Sequence, residues 1–307
     1  MYSIRAYLKQ LKTYIKRPIS FFDNWAEAGR LNWMPDKWYL SLMFRSKMGY
    51  WMNWKHPKTF NEKLQWLKIY DRNPLYTQLV DKYEVRKYIA KKIGEEYLIP
   101  LLGVWGHVDD IDFDKLPNQF VLKCTHDSGS TIICKNKNSF DIADAKQKLT
   151  NALKVKYYTL SREWPYKNVT PQIIAEKYLE STDLNDYKFQ VFNSKVENCF
   201  VCSKRFSKDG LHVTFFDRKW NPLNFTKQYP KETETLTQPI FFERMVEISE
   251  EIAKHFRFLR VDFYEHQNRI YIGELTLYPG AGFEKFDPPK WDEKFGELIN
   301  LKNFKHL

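Results

Sequence analysis

The sequence predicts an α+β fold in which a helical N-terminal part precedes a mixed body that ends in an antiparallel sheet. Apolar residues recur at helical spacing through residues 36–49 and 59–70. From residue 97 onward, short runs rich in β-branched and aromatic residues alternate with Gly, Pro, Asn and Asp, which is typical of strands and turns. The later runs follow one another as in a meander, so helices are expected to cover an antiparallel sheet.

The composition is that of a globular chain without a membrane span. With 307 residues, 43% of them hydrophobic and 17% aromatic, the chain can bury a core as one large domain or two subdomains. Its apolar runs are shorter than the ~20 residues that cross a bilayer. The N-terminus lacks the apolar stretch and cleavage site of a secretory signal. We therefore expect a cytoplasmic protein.

The formal net charge of +11 is concentrated near the N-terminus, where residues 1–60 hold eleven Lys and Arg against three acidic residues. Residues 4–17 place Ile and Leu on one helical face and Lys and Arg on another, and Pro18 ends this helix. Such a helix suits an anionic membrane surface. The interleaved aromatic residues suit stacking on bases or sugar rings, or docking at a membrane interface, but a helical core with a basic solvated face explains them equally well.

Further along the chain, Thr59 and Glu62 predict a capping box ahead of a helix. Another helix is expected over 74–93, stopped by Gly94. A polar loop is expected over 161–171, and a hairpin over 259–275 closes the body. The remaining elements are strands at 97–105, 119–124, 131–136, 173–180, 187–195, 197–205 and 212–217, with helices at 141–160 and 241–255.

Two carboxylates of this hairpin are the sharpest functional signal. Asp262 and Glu274 lie on its two strands, and a turn is expected at Asn268 and Arg269, so the hairpin can bring the carboxylates together. Like charges coexist there if Mg²⁺ lies between them. Surface carboxylates, or an ion pair with Arg260 or Arg269, explain the same residues.

A possible phosphate-binding turn follows Lys123, where small polar residues lead to the next strand. Successive backbone N–H groups of such a turn can point at phosphate oxygens, with Lys123 as the neighbouring charge. Asp127 would repel a phosphate unless it turns away or meets the metal. A hairpin turn with a solvent-facing lysine is the alternative. Similarly, Lys82 is either a phosphate ligand or a surface lysine.

Familiar nucleotide and hydrolase motifs are missing from the sequence. It contains no GxxxxGKS/T loop, GxGxxG, HExxH or GxSxG. Cys199 and Cys202 have zinc-like spacing, but no second pair supplies the other ligands. A nucleotide must therefore be held another way, and the backbone of residues 177–179 after Glu176 could bind an adenine edge.

Three segments together resemble the TupA-like ATP-grasp family, which is associated with bacterial teichuronopeptide and other surface-polysaccharide synthesis. They are FNEKLQWLKIYDRNPLYTQLVDKYEVRKYI, FVLKCTHDSGS and YIGELTLYPGAG. The resemblance extends from about residue 57 to about residue 300. It implies an ATP-grasp fold, in which two α+β subdomains of residues 59–307 hold ATP between them. Residues 1–58 would form a preceding basic, aromatic-rich helical segment.

The resemblance also implies roles for individual residues. The ATP phosphates would be bound by Lys82, Lys123 and a loop containing His126, Ser128, Gly129 and Ser130. The adenosine would be bound by Glu176, Lys177, Tyr178 and Leu179.

Two further sets complete the implied site. Lys188 would reach the γ-phosphate or an acyl phosphate, and Arg260 would help to neutralise the transferring group. Mg²⁺ would be bound by Asp262, Glu274 and Thr276. Typical ATP-grasp enzymes have Asn at the last of these positions, and the Thr276 hydroxyl is a weaker ligand.

The function implied by the resemblance is an ATP- and Mg²⁺-dependent carboxylate–amine ligase that acts through an acyl phosphate, amidating a uronic acid with an amino acid. Its partners would be ATP, an anionic sugar or polysaccharide intermediate, an amine and, through residues 4–17, the inner membrane; no nucleic acid is expected. A sugar kinase, with Asp127 or Asp186 as base, or a glycosyltransferase of the same pathway is an alternative. A non-catalytic protein that binds glycan or nucleic acid is another.

Overall fold

The computed structural model describes residues 21–179, 185–204, 207 and 210–301, so the helix expected over 4–17 lies outside the described residues. The helices are α1 (Phe21–Glu27), α2 (Asp36–Met48), α3 (Phe60–Tyr70), α4 (Leu75–Val80), α5 (Glu84–Ile93), α6 (Ile142–Leu153), α7 (Tyr158–Ser161), α8 (Phe242–Ile252) and α9 (Lys290–Leu298). The strands are β1 (Leu101–Trp105), β2 (Phe120–Cys124), β3 (Ile132–Cys134), β4 (Ile173–Lys177), β5 (Asp186–Phe192), β6 (Lys195–Ser203), β7 (His212–Asp217), β8 (Phe258–His266) and β9 (Arg269–Thr276).

Within the described residues, the strands form two antiparallel sheets. The smaller sheet has the order β1–β4–β2–β3, and the larger has the order β7–β6–β5–β8–β9. Strands β5, β6 and β7 form a meander as expected, and β8 and β9 form the expected hairpin. The strand at 173–180, which was expected to begin this meander, is instead β4 of the smaller sheet, where it pairs with β1 and β2. The predicted α+β class is confirmed, because helices and antiparallel sheets pack on each other throughout.

The hydrophobic core is divided between the two sheets. The main cluster packs β5 and β8 against helices α3 and α8, through fully buried residues such as Phe60, Phe189 and Met245. A separate cluster packs the smaller sheet against α6, with Phe120 and Leu149 at its centre. Two separate cores leave a cleft between the sheets. No helix in the described part of the chain is long and apolar enough to span a bilayer.

The start of α3 confirms the predicted capping box and shows a helix that was not predicted. Thr59 Oγ1 accepts a hydrogen bond from Glu62 N at 3.2 Å, and Thr59 N donates to Glu62 Oε2 at 3.1 Å. Asp292 of α9 accepts from Asn61 N at 3.0 Å. Gly296 allows this close approach, since a Cβ there would lie 2.0 Å from Lys58 O. The short, charge-rich sequence of α9 gives a weak helical pattern.

The single helix predicted over 74–93 is wrong, because the chain breaks it into α4 and α5. Asp81 is extended, with φ −80° and ψ 115°. Its carboxylate accepts hydrogen bonds from the N–H groups of Tyr83 and Glu84, which restart the helix. An Asp side chain that bonds nearby N–H groups competes with helix continuation. Lys82 therefore lies in the break, and its N–H donates to Thr125 O at 3.0 Å.

The helix predicted over 141–160 ends early, at Leu153, and the polar loop expected after it is largely buried. Arg162 donates to Leu31 O at 2.9 Å and lies 4.2 Å from the ring centroid of Tyr39. Lys68 of α3 donates to Ser161 O at 2.8 Å. Arg162 Nη2 and the Ser161 carbonyl thus have hydrogen-bond partners inside the protein, so the polar sequence of the segment did not indicate exposure.

Candidate active site

The β8–β9 hairpin places the two predicted carboxylates side by side. Asp262 is the cross-strand partner of Glu274, and a bulge follows at Gly273. Paired residues of an antiparallel ladder point to the same face, and bulges commonly redirect side chains near active sites. The turn lies at Gln267 and Asn268, with φ 50° and 58°, and not at Asn268 and Arg269. Two positive φ values suit the right-handed twist of a hairpin.

Arg260 lies between these carboxylates. Its Nε donates to Asp262 Oδ1 at 2.6 Å, and its Nη2 donates to Asp262 Oδ2 at 2.7 Å and to Glu274 Oε2 at 3.4 Å. Burial would raise the pKa of Asp262, but Arg260 and then Lys188 hold it below its ordinary value. Asp262 is therefore ionised in a site where it is almost entirely buried.

Lys188 reaches the same carboxylate from the neighbouring strand, β5. Its ammonium group donates to Asp262 and lies 2.8 Å from Asp186 Oδ2. Burial would lower the pKa of Lys188, but Asp186 and Asp262 raise it above its ordinary value. Asp186 was not predicted to belong to this ion pair. It lies two residues before Lys188 on the same strand, and this spacing places both side chains on one face.

A cleft lies between the two sheets. It brings together four of the predicted residues, Lys82, Lys123, Glu176 and Glu274. The rest of its lining comes mainly from apolar residues of α4, α5 and β9. A cleft in which charged groups from several elements converge beside apolar side chains is typical of a small-molecule site.

Glu176 holds two cations in this cleft. Its carboxylate lies 2.7 Å from Lys123 Nζ on the adjacent strand and 3.1 Å from Arg86 Nη1 on α5. Arg86 also donates to Ile99 O at 2.9 Å, so it joins α5 to the start of the smaller sheet. Sequence reasoning missed Arg86. No local pattern indicated it, because Lys82 lies in the break before α5 and does not share a helical face with Arg86.

The predicted phosphate loop has an internal hydrogen-bond network. Asp127 Oδ1 accepts from Ser130 Oγ at 2.7 Å, and Ser130 Oγ accepts from Cys124 N at 2.8 Å. Lys82 donates to the backbone carbonyl of Asp127. Burial lowers the pKa of Lys82, an effect that Glu274 and Asp127 partly offset. Asp127 thus turns inward, so its carboxylate shapes the loop.

The other loop residues differ in their surroundings. Ser128 and Gly129 are exposed at the tip, whereas His126 is buried and its Nε2 lies 3.1 Å from Val155 O. The His126 ring therefore contacts the segment after α6. A direct contact of His126 with phosphate stays a prediction, as do those of Ser128, Gly129 and Ser130.

The predicted adenine-binding segment continues from β4. The backbone N–H of Lys177 donates to Pro100 O at 2.9 Å, so this N–H has its partner within the protein. The side chain of Leu179 is buried beside Ile99 and Tyr271, and Tyr178 is half-buried. This segment links the smaller sheet to β9 next to the cleft.

The residues predicted to bind Mg²⁺ fit that ion. Thr276 Oγ1 is buried, and among the described residues no atom forms a hydrogen bond with it. Thr276 follows Glu274 by two positions on β9, so both side chains point to one face. Carboxylate and hydroxyl oxygens are hard ligands, and Mg²⁺ takes few protein ligands alongside phosphate and water. No group of three or more His, Cys, Asp and Glu suited to a metal occurs in the described part of the chain.

Comparison with solved structures gives low sequence identities. The chain is 18% identical to a D-alanine–D-alanine ligase from Bacillus anthracis (TM-score 0.43, covering 72% of this chain and 66% of that one). It is 14% identical to N5-carboxyaminoimidazole synthetase from Staphylococcus aureus (TM-score 0.38, 65% and 44%). It is 11% identical to the ATP-grasp ligase PsnB, solved with a precursor variant, Mg and ADP (TM-score 0.42, 82% and 65%). The chain spans less than two thirds of the length of each.

Comparison at the family level is more specific. No curated protein gives a significant match to the chain. A sequence profile described as TupA-like ATPgrasp matches residues 62–300, more than three quarters of the chain. The matched region contains every residue of the cleft and of the β8–β9 site. It supports an ATP-grasp fold. The chain therefore belongs to the TupA-like ATP-grasp family.

Proposed function

We propose that the protein is an ATP- and Mg²⁺-dependent carboxylate–amine ligase of bacterial capsule or cell-wall polysaccharide synthesis, joining an amino acid to a uronic acid. One observation carries the proposal. Asp262 and Glu274 face each other beside Arg260, and Glu274 also lines the cleft that holds Lys82 and Lys123. Carboxylates for a metal and cations for phosphates thus lie in one site.

In the proposed reaction, a carboxylate oxygen of the acceptor attacks the γ-phosphorus of ATP, the bond to the β,γ-bridging oxygen breaks, and ADP leaves. The amine then attacks the acyl carbon. The bond between that carbon and the phosphate oxygen breaks, phosphate leaves, and the amine releases a proton to solvent as the amide forms. This route requires no protein nucleophile.

The side chains have separate tasks in this scheme. Lys82 and Lys123 hold the phosphates, and Lys188 and Arg260 neutralise charge that develops on the transferring group. Asp262, Glu274 and Thr276 would hold Mg²⁺, which supplies positive charge at the phosphate oxygens when bound. Because Lys188 and Arg260 are buried, their charges act in a medium of low dielectric constant. Their electrostatic interaction with the transferring group is therefore strong.

The kinase alternative is less well supported by the geometry. It needs a free carboxylate as base near the γ-phosphate. Asp127 bonds the Ser130 hydroxyl, and Asp186 pairs with Lys188. Both candidates are thus engaged with other side chains, which favours the ligase.

The polysaccharide step is taken from the association with surface-glycan synthesis that the sequence resemblance implies, and the family match itself names no substrate. An anionic acceptor would also suit the positive charge of residues 1–60. We propose that the substrate is a uronic acid, free or lipid-linked, and that residues 4–17 contact the inner membrane surface.

The first test is thermal unfolding with ATP, with and without Mg²⁺, on the wild type and Glu274→Gln. At a hundred times its Kd, a ligand stabilises the fold by about 2.7 kcal/mol. We expect Mg²⁺-dependent stabilisation that the variant loses and that the exposed control Glu247→Gln keeps. ADP release in the presence of uronic acids and amino acids then tests the substrates. No stabilisation by ATP would contradict the proposed function.

A further inference from the structure

The outward face of α2 has an unusual composition. The inward face buries Tyr39, Leu40, Met43 and Phe44, as expected for a helix that packs on the core. The outward face carries Trp38 and, at helical spacing from it, Leu42 and Arg45. A helix with large apolar side chains on its solvent face is expected to place those side chains against another apolar environment.

Two further exposed tryptophans flank α2 in the chain, Trp33 before it and Trp51 after it, and Trp51 contacts Arg45 of the outward face. Trp33, Trp38 and Trp51 are 77%, 70% and 58% exposed. At about 200 Å² for each side chain, these fractions leave roughly 400 Å² of indole surface in water. This area is comparable with the largest apolar patch of a typical monomer, and such patches are often functional. We refer to Trp33, Trp38, Leu42, Arg45 and Trp51 as the tryptophan surface.

The charge around the tryptophan surface is positive. The same segment carries exposed basic residues, namely Arg30, Lys37, Lys47, Lys55 and Lys58. Two of the three nearby acids are engaged elsewhere. Asp23 accepts from Ser46 Oγ at 3.0 Å, and Asp36 accepts from Tyr158 Oη at 2.5 Å.

We propose that the tryptophan surface docks on an anionic lipid bilayer, with the indole rings at headgroup depth and the basic residues against lipid phosphates. Tryptophan prefers this depth because its ring is apolar and its N–H is polar. Lys and Arg add attraction to anionic lipids. The docking does not depend on the ligase activity, and it involves residues that lie beyond the amphipathic segment 4–17.

A bilayer explains the geometry better than a glycan does. Stacking on a sugar requires an open ring face. The guanidinium carbon of Arg45 lies 6.0 Å from the ring centroid of Trp51, which places a cation over that face. A guanidinium over an indole ring instead suits the boundary between acyl chains and phosphates.

The test is co-sedimentation of the full chain with vesicles of phosphatidylcholine alone, or of equal parts phosphatidylcholine and phosphatidylglycerol. We expect binding to the anionic vesicles, and partitioning at least tenfold weaker for a variant with Trp33→Ser, Trp38→Ser and Trp51→Ser. Ile240→Ser, which changes an exposed apolar side chain far along the chain, is the control. A variant with Lys9→Glu and Lys12→Glu measures the contribution of residues 4–17 separately.

The outcomes separate the possibilities. Indole emission should shift to shorter wavelength on anionic vesicles in the wild type, and unchanged melting temperatures of the variants would show that the fold is intact. Wild-type partitioning by the triple variant overturns the proposal. So does displacement of the protein from vesicles by soluble polygalacturonate in a Trp-dependent manner, because a glycan would then be the occupant.

Discussion

Arg260 chelates Asp262, donating to both carboxylate oxygens over 2.6 and 2.7 Å. Nη2 of Arg260, which donates to Asp262 Oδ2, also donates to Glu274 Oε2. A divalent cation placed between these carboxylates would therefore take over charge that Arg260 now balances, and Arg260 would be available for the transferring group. Competition between the guanidinium and the metal has measurable consequences.

Arg260→Gln should bind Mn²⁺, as a substitute for Mg²⁺, about tenfold more tightly than the wild type, because about 1.4 kcal/mol of repulsion is removed. ADP release should fall by at least ~10². Electron paramagnetic resonance of free Mn²⁺ gives the affinity. Arg269→Gln on the same hairpin is the control. Equal Mn²⁺ affinity in both variants would argue against this competition.

Thr276→Val should separate stability from metal binding. Among the described residues, Thr276 Oγ1 has no hydrogen-bond partner although it is buried, so removing it should raise the free energy of unfolding by about 1 kcal/mol. The same change should weaken Mn²⁺ binding in the presence of ATP. Urea denaturation and Mn²⁺ titration measure the two effects.

Thr214→Val is the matched control, since Thr214 Oγ1 accepts a hydrogen bond from Glu232 N at 2.9 Å. This variant should lose stability and keep metal binding. If Thr276→Val binds Mn²⁺ like the wild type, Thr276 is not a ligand.

Arg86→Gln should reduce affinity for ATP about tenfold. Glu176 would then face Lys123 alone, and a stronger ion pair would draw the lysine away from phosphate. The lost bond to Ile99 O should also cost about 1–3 kcal/mol of stability. Calorimetric titration with an ATP analogue measures the affinity. Lys87→Gln, an exposed neighbour on α5, should behave like the wild type.

Lys68 should make stability depend on pH. Its side chain is buried and donates to Ser161 O and Ala281 O, each at 2.8 Å. Burial lowers its pKa to about 8, an effect that Glu163 partly offsets. As pH rises from 8 to 10, the folded state releases this proton while the unfolded state keeps it, so folding becomes more favourable.

The free energy of unfolding of the wild type, measured relative to Lys68→Met, should therefore rise by about 2 kcal/mol between pH 7 and pH 9.5. Urea denaturation at the two pH values gives the difference. The exposed Lys91→Met should show no such change relative to the wild type. A flat difference for Lys68→Met would mean that Lys68 keeps its proton through the coupling with Glu163.

Features that depend on residues close together in the chain could be predicted from the sequence. The capping box of Thr59 and Glu62 and the meander β5–β7 follow from residue spacing alone. The hairpin was predicted in the right place, and with it the pairing of Asp262 with Glu274. Its turn was displaced by one residue, because Gln267 adopts a positive φ that its residue type does not signal.

Contacts between distant parts of the chain were decided only by the tertiary structure. Lys82 and Asp127 are 45 positions apart, and Arg86 and Glu176 are 90 apart. No periodicity connects such pairs, since they meet only when α5 packs on the smaller sheet. Likewise, the segment 161–171 was predicted to be a polar loop, but its Glu163 is buried together with Lys68 of α3.

The sequence by itself determined the class of the fold, the family and the types of residue that could bind a nucleotide and a metal, because these depend on local pattern and residue chemistry. The tertiary structure decided which cation faces which carboxylate, that Arg260 lies between Asp262 and Glu274, and that three tryptophans remain outside the core. The physical reason is that ion pairing and burial depend on distances through space, which short-range spacing does not encode.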